Sequence, residues 1–248
     1  MSARCPRRPS ARVKRGVVLL SGGLDSSTLL HYVCRRLGSA SVYAVSFLYG
    51  QKHSRELTMA RWQARAAGVA EHRIIDLSFL KDVIRGASAL TDEAIPIPAL
   101  SAIPRSRRSQ PPTYVPNRNM ILLALAAAYA EARGVTDVFY GAQAQDEYGY
   151  WDCTPGFLSR MNRTLSLNRS KPVRVHAPFI RLRKSEELQV GLDLGVDFAH
   201  TWTCYRGGRQ PCGTCPTCVE RATAFREVGM RDPLLTTASA GSRTGLRH

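Results

Sequence analysis

Two clusters in this 248-residue chain have the residue types and spacing that chemistry needs. The first is Ser21-Gly22-Gly23-Leu24-Asp25-Ser26-Ser27. It follows Val17-Val18-Leu19-Leu20, an apolar run that reads as a buried strand, and it opens a helical stretch. The glycines let the backbone turn sharply and approach a ligand closely. Free amides of the loop and helix start then converge on one spot that favours an anion. The hydroxyls of Ser21, Ser26 and Ser27 add donors. The Gly-Lys-Ser/Thr ending of a Walker loop is missing, so no lysine neutralises a transferring γ-phosphate. An acid, Asp25, stands there instead, as it would to hold Mg²⁺ beside phosphates. Such a loop suits pyrophosphate as the leaving group and attack at the α-phosphate, which is adenylation rather than phosphorylation. The bland alternative is a glycine turn without a ligand.

The second cluster is Cys204, Cys212, Cys215 and Cys218, spaced C-x7-C-x2-C-x2-C. Two successive C-x2-C steps gather thiolates in a tight turn, to which Gly213 and Pro216 contribute. Four thiolates form a closed tetrahedral Zn²⁺ site with no position for water, so the role read here is structural. An iron–sulfur cluster is the competing ligand. Cys5, Cys34 and Cys153 are scattered, which fits a reducing, cytoplasmic compartment better than a disulfide framework.

The elements that must position these clusters alternate. Val42–Leu48 and 72–77 read as strands, and the segments from Leu24 to Leu37 and from Arg55 to Ala67 as helices, each closed by a glycine. This β-α-β-α-β order predicts a doubly wound parallel sheet, extended by strands over 137–140 and 173–175 to five. Further helices are expected over 119–133, between Pro155 and Leu167, over 184–194, and briefly after the cysteines. The stretch from Ser78 to Pro116, rich in Pro and Ser, reads as a site cover or a disordered segment. The division expected is a basic disordered tail over 1–15, an α/β nucleotide-binding domain over 16–200, a small zinc-binding subdomain over 201–235 and a second disordered tail over 236–248.

A net charge of +16 invites a nucleic-acid reading. Only Lys14, Lys52, Lys81, Lys171 and Lys184 are lysines among 35 basic residues, and much of the arginine lies at the chain ends and in the Pro/Ser loop. A solvated charge run is therefore preferred to an RNA- or DNA-binding surface. No apolar run is long enough for a membrane span, and the N-terminus carries no apolar signal region.

Loop and cysteine ladder together resemble the 7-cyano-7-deazaguanine synthase (QueC) family of the N-type ATP pyrophosphatases, whose fold is adenine nucleotide alpha hydrolase-like. The resemblance runs from about Gly16 to Pro233. It is carried by Leu20-Ser-Gly-Gly-Leu-Asp-Ser-Ser-Thr-Leu-Leu, Tyr49-Gly-Gln-Lys-His with Glu56, Ser88-Ala-Leu-Thr, Tyr114-Val-Pro-Asn-Arg-Asn, Gly141 with Asp146, Asp152-Cys, His176-Ala-Pro, Lys184, Thr201-Trp-Thr-Cys, the other cysteines and Arg231-Asp-Pro. It implies conversion of 7-carboxy-7-deazaguanine and ammonia to the nitrile through adenylated acid and amide intermediates, with ATP, Mg²⁺ and Zn²⁺, in a homodimer. It places ATP on Leu20, Ser21, Gly22, Gly23, Leu24, Asp25, Ser26, Ser27, Thr28, Leu29 and Leu30. Asp25, Arg118 and Lys184 are the expected catalytic residues. Tyr49, Gln51, Tyr114, Arg118, Asn119, Asp146 and Asp152 are expected on the substrate side.

Local pattern alone leaves alternatives for several of these. Arg118 contacts phosphate or the substrate carboxylate, or is a surface arginine at a helix start. Lys184 clamps a phosphate or is ordinary helix charge. Asp146 reads the guanine-like N–H edge or caps a turn. Tyr114 stacks on the base or fills core, and His53 shuttles a proton or packs. Trp151 and Thr154 stand where the family pattern has proline and arginine. That departure keeps open a relative that stops at the amide or joins the base to another amine. A zinc-dependent nucleic-acid-binding module is the reading from another class.

Overall fold

The computed structural model describes residues 14–107, 110–143 and 150–235. Asp146, the segment 1–13 of the basic N-terminal tail and the C-terminal tail 236–248 lie outside the described residues. Five strands form one parallel sheet: β1 (Gly16–Leu19), β2 (Val42–Leu48), β3 (Glu71–Asp76), β4 (Asp137–Phe139) and β5 (Arg174–His176). Their order is β3-β2-β1-β4-β5, so the winding reverses at β1. This is the doubly wound α/β architecture expected from the alternation of elements. Ligands in such sheets bind beyond the carboxyl ends of the strands, at the reversal.

Both faces of the sheet are covered, which is why its strands are apolar runs rather than alternating ones. Val17 and Val45 point to one face, against Leu123, Ala126 and Ala130 of α4 (Arg118–Ala132) and Phe157 of α5 (Pro155–Leu165). Val18 and Ala44 point to the other, against Leu29, Leu30 and Val33 of α1 (Leu24–Leu37) and Ala60 and Ala64 of α2 (Arg55–Ala67). Helix α4 starts one residue earlier than expected, with Arg118 as its first residue after Asn117 in the left-handed region (φ 55°).

The stretch from Ser78 to Pro116 is better built than its composition announces. It holds a short helix, α3 (Leu80–Val83), and buries Ala89, Leu90, Ile97 and Val115 against Trp202 and the cysteines. Its apolar residues follow no period, so sequence pattern could not distinguish a small core from a loop. The segment after residue 200 is joined to the α/β body as closely. Phe225 of α7 (Pro216–Glu227) packs edge-on against Phe198, in a cluster with Leu24 and with Leu188 of α6 (Lys184–Asp193). Arg221 is 4% exposed and donates to Asp232 at 2.7 and 2.8 Å, to Thr201 at 2.7 Å and to the Phe198 carbonyl at 2.9 Å.

Helix α6 reaches α1 because Gly191 has no side chain. A Cβ there would lie 2.4 Å from the Phe198 ring and 2.7 Å from Thr28 Oγ1. Gly191→Ala is expected to destabilise the fold by about 1–3 kcal/mol, as overpacked cores do. A urea midpoint unchanged from wild type would show that the helices are free to separate.

Candidate active site

A cavity of about 280 Å³ opens at the carboxyl ends of β1, β2 and β4. Its floor is the loop after β1. The amides of Ser21 and Gly22 both point at Ser26 Oγ, at 3.1 and 3.2 Å, and Ser21 Oγ lies 2.9 Å from it. Several donors thus converge on one oxygen, the arrangement a phosphate needs. Gly22 has φ +86°, and a Cβ on it would stand 2.1 Å from the Glu56 carbonyl oxygen. The Gly22 carbonyl accepts from the amide of Trp202 at 2.9 Å. The loop is therefore fastened to α2 on one side and to the cysteine-bearing segment on the other.

Asp25 and Lys184 meet here. Lys184 Nζ donates to both carboxylate oxygens of Asp25 at 2.9 Å, bridging the first turns of α1 and α6 across 159 positions of sequence. Arg118 enters from the first turn of α4, with its guanidinium 5.9 Å from the centre of the Tyr49 ring. Behind it, Asp152 is 3% exposed and accepts from the Asn119 amide at 3.3 Å. Burial raises the Asp152 pKa, and Arg118 and Asn119 oppose that rise. Gln51 braces the turn after β2, accepting from the Tyr49 amide at 2.8 Å and donating to the Phe47 carbonyl at 3.3 Å.

Glu56, in the first turn of α2, also lines the cavity. It is half-buried. Desolvation raises its pKa to about 7, against the pull of Arg118. His53 lines the same wall, packed against Gly207 and edge-on to Trp202, and burial lowers its pKa.

The sulfur atoms of Cys204, Cys212, Cys215 and Cys218 all lie within 4.8 Å of one another, the one such ligand cluster among the described residues. A tetrahedral Zn²⁺ with roughly 2.3 Å bonds needs S–S separations of roughly 3.8 Å, so the set fits. The amides of Cys212 and Cys215 each point at a cysteine sulfur at 3.3 Å, which suits thiolates. Three of the four cysteines are buried, beneath Leu90, Ile97 and Trp202.

The structure brings Leu20, Ser21, Gly23, Leu24, Asp25, Ser26, Tyr49, Gln51, Arg118, Asn119 and Lys184 to the cavity wall. Ser27, Thr28, Leu29 and Leu30 are buried in α1, away from that wall. Tyr114 and Asp152 also stand off it. Tyr114 accepts from the Asn117 amide at 3.1 Å and from the indole of Trp151 at 2.8 Å. Trp151 is 43% exposed, and Thr154 caps α5 by accepting from the Phe157 amide at 3.2 Å. The two departures from the family pattern are therefore not on the lining. Glu56, Lys52, Tyr205 and Glu220 line the cavity without having been given a role from sequence. Glu56 belonged to the strings that carry the resemblance but received no role, because an acid in a helix's first turn is also explained by an ordinary dipole contact. Tyr205 and Glu220 carried no signal, because nothing in their spacing says that the cysteine segment folds over the sheet edge.

Comparison with known proteins gives a consistent answer. The family model "Queuosine biosynthesis protein QueC" matches residues 15–229. A 7-cyano-7-deazaguanine synthase from Clostridium kluyveri is 42% identical over 90% of this chain and 97% of its own. Those of Caldicellulosiruptor saccharolyticus and Thermoplasma acidophilum are 43% and 44% identical, each over 89% of this chain and over 94% and 91% of theirs. Among solved structures, NMN synthetase from Francisella tularensis aligns with 89% of this chain and 79% of its own at 13% identity and a TM-score of 0.49, too distant to inform on activity.

The buried carboxyl of Glu56 carries a pH signature. Its folded pKa lies above its unfolded one, so the native state holds a proton that the unfolded chain has released. Its contribution to stability is full in acid and falls as pH rises from the ordinary carboxylate range to about 7. Glu56→Gln should flatten this decline, read as a smaller loss of Tm between pH 5 and pH 8 than in wild type. Identical pH dependences would place Glu56 in ordinary solvent.

Proposed function

Because this chain belongs to the queuosine biosynthesis protein QueC family, we propose that it converts 7-carboxy-7-deazaguanine, ammonia and ATP to 7-cyano-7-deazaguanine. It is a C–N bond-forming ligase. The observation that carries this reading is the convergence of the phosphate-type loop, the Asp25–Lys184 pair and Arg118 on one cavity, in a chain 42% identical to a named synthase over nearly its whole length.

The chemistry follows from what each group can do. The loop amides and the hydroxyls of Ser21 and Ser26 bind the outer phosphates, leaving the α-phosphate open to the substrate carboxylate. A carboxylate oxygen is a poor leaving group and AMP a good one, so adenylation lets ammonia displace AMP and form the amide. A second adenylation, on the amide oxygen, lets AMP leave again and yields the nitrile. Lys184 and Arg118 supply positive charge as pyrophosphate separates. Asp25 would hold Mg²⁺, which would supply further charge neutralisation there. Tyr49, Gln51 and Asn119 hold the base, with Tyr114 and Asp152 supporting that wall from behind. Asp146 is assigned to the N–H edge of the base.

The four cysteines hold one Zn²⁺, which fixes the segment that carries Trp202 and Tyr205 into the cavity wall. Ammonia comes free from solution. The working form is a homodimer in the cytoplasm. No helix among the described residues is long and apolar enough to cross a membrane. Trp151 and Thr154 lie off the cavity lining, so the nitrile is favoured over an amide or a conjugate as the product.

Incubation with 7-carboxy-7-deazaguanine, ATP, Mg²⁺ and ammonium is expected to give AMP and pyrophosphate, with the base converted to the nitrile by mass. Release of ADP, or a base mass that stops at the amide, would overturn the reading. Elemental analysis should find one zinc per chain. Cys218→Ser should lose the metal and lower the thermal midpoint; retention of both would remove zinc from the account.

A further inference from the structure

Making a nitrile from an acid and ammonia requires protons to leave nitrogen, and the residues assigned above bind phosphate and base rather than accept those protons. Among the described residues, three carboxylates line the cavity: Asp25, Glu56 and Glu220. Asp25 is engaged by Lys184, and Glu220 is engaged as well. Glu56 is half-buried and lines the open space. Its main-chain carbonyl crowds Gly22, so Glu56 enters the cavity beside the loop after β1. Arg118, the residue assigned to the charge of the reacting groups, acts on it from α4.

Resting on the functional reading above, we propose that Glu56 is a catalytic residue that accepts protons from the substrate nitrogen in the amination and dehydration steps. In amination, ammonium passes one proton to the carboxylate. The freed lone pair forms the C–N bond, and the C–O bond breaks with its electrons leaving on AMP. A second proton departs on the AMP phosphate. When the amide oxygen is adenylated, one of its two N–H protons leaves with the departing pyrophosphate, so the adenylated amide carries one N–H into dehydration. Glu56 takes that proton while the N–H electrons form the third C–N bond, and the C–O bond to AMP breaks. Between steps Glu56 returns its proton to water through the cavity mouth.

Desolvation holds this carboxyl near neutrality, about 7, which is where a proton acceptor works best at neutral pH. The other ionisable groups facing the cavity come from each neighbouring element. They are Asp25, Lys52, Arg118, Lys184, Glu220 and Arg221, and of these Arg118 favours the Glu56 carboxylate. Tyr49 and Tyr205 stay neutral because burial raises both. His53 stays neutral because burial lowers it.

The test uses the full-length enzyme with the corresponding amide as substrate, which removes ammonium and its own titration from the measurement. Wild type should convert amide and ATP to nitrile with a rate that rises through an apparent pKa of about 7. Glu56→Gln should slow this step by on the order of 10²-fold or more and lose the limb, while acid-dependent exchange of pyrophosphate into ATP stays within a few-fold of wild type. Glu56→Asp, which keeps the carboxylate one methylene further away, should recover part of the rate with the limb restored. In the acid reaction, hydroxylamine, already unprotonated at neutral pH, should rescue Glu56→Gln more than ammonium does. A variant that loses exchange and dehydration equally, or raises KM for the base with an unchanged limb, overturns the proposal and makes Glu56 a binding residue. Wild type that releases no AMP from the acid overturns the functional reading itself. Wild type that forms nitrile beside an unimpaired Glu56→Gln overturns only the role of Glu56.

Discussion

The site depends on how closely the backbone at Gly22 is approached by its neighbours. On one side the Glu56 carbonyl and the Ala60 amide of α2 occupy the space a side chain would need. On the other, the Gly22 carbonyl is bonded to the amide of Trp202, two residues before the first cysteine. One residue without a side chain therefore joins three parts of the chain: the anion-binding loop, the helix that carries Glu56 and the segment ordered by the cysteines. Any residue but glycine would meet both a left-handed φ and a backbone clash.

The cysteine cluster gains its importance from this arrangement. Cys204, Cys212, Cys215 and Cys218 lie away from the reacting groups, yet the residues between and beside them, Trp202, Thr203, Tyr205 and Thr217, form cavity wall. The cluster fixes the chain that closes the site, and Arg221 ties the same chain to Asp232, Thr201 and the Phe198 carbonyl.

Charge is arranged in layers around the cavity. The Asp25–Lys184 pair spans α1 and α6 beside the loop after β1, where the close packing at Gly191 sets the distance between the helices. Arg118 stands near Tyr49 and the buried Asp152, and Lys52, on the wall, donates to the Ile95 carbonyl at 2.7 Å, anchoring the long segment after β3. Departures such as Trp151 brace this frame from outside, through Tyr114 and the Asn117 turn that opens α4.

Local sequence determined the parallel sheet, the helix limits near Leu24, Arg55 and Lys184, the glycine turn after β1 and the four-cysteine ladder. Each is a short-range pattern: an apolar run, a periodic face, glycines beside an acid, cysteines two apart. Tertiary structure alone decided that Asp25 and Lys184 would pair across 159 positions and that Thr28, Leu29 and Leu30 would turn into the core. It also decided that Glu56, Tyr205 and Glu220 would face the same space as Arg118. Those outcomes depend on which helix crosses which and how closely, and that is set by packing between residues far apart in the chain, a property no local spacing records.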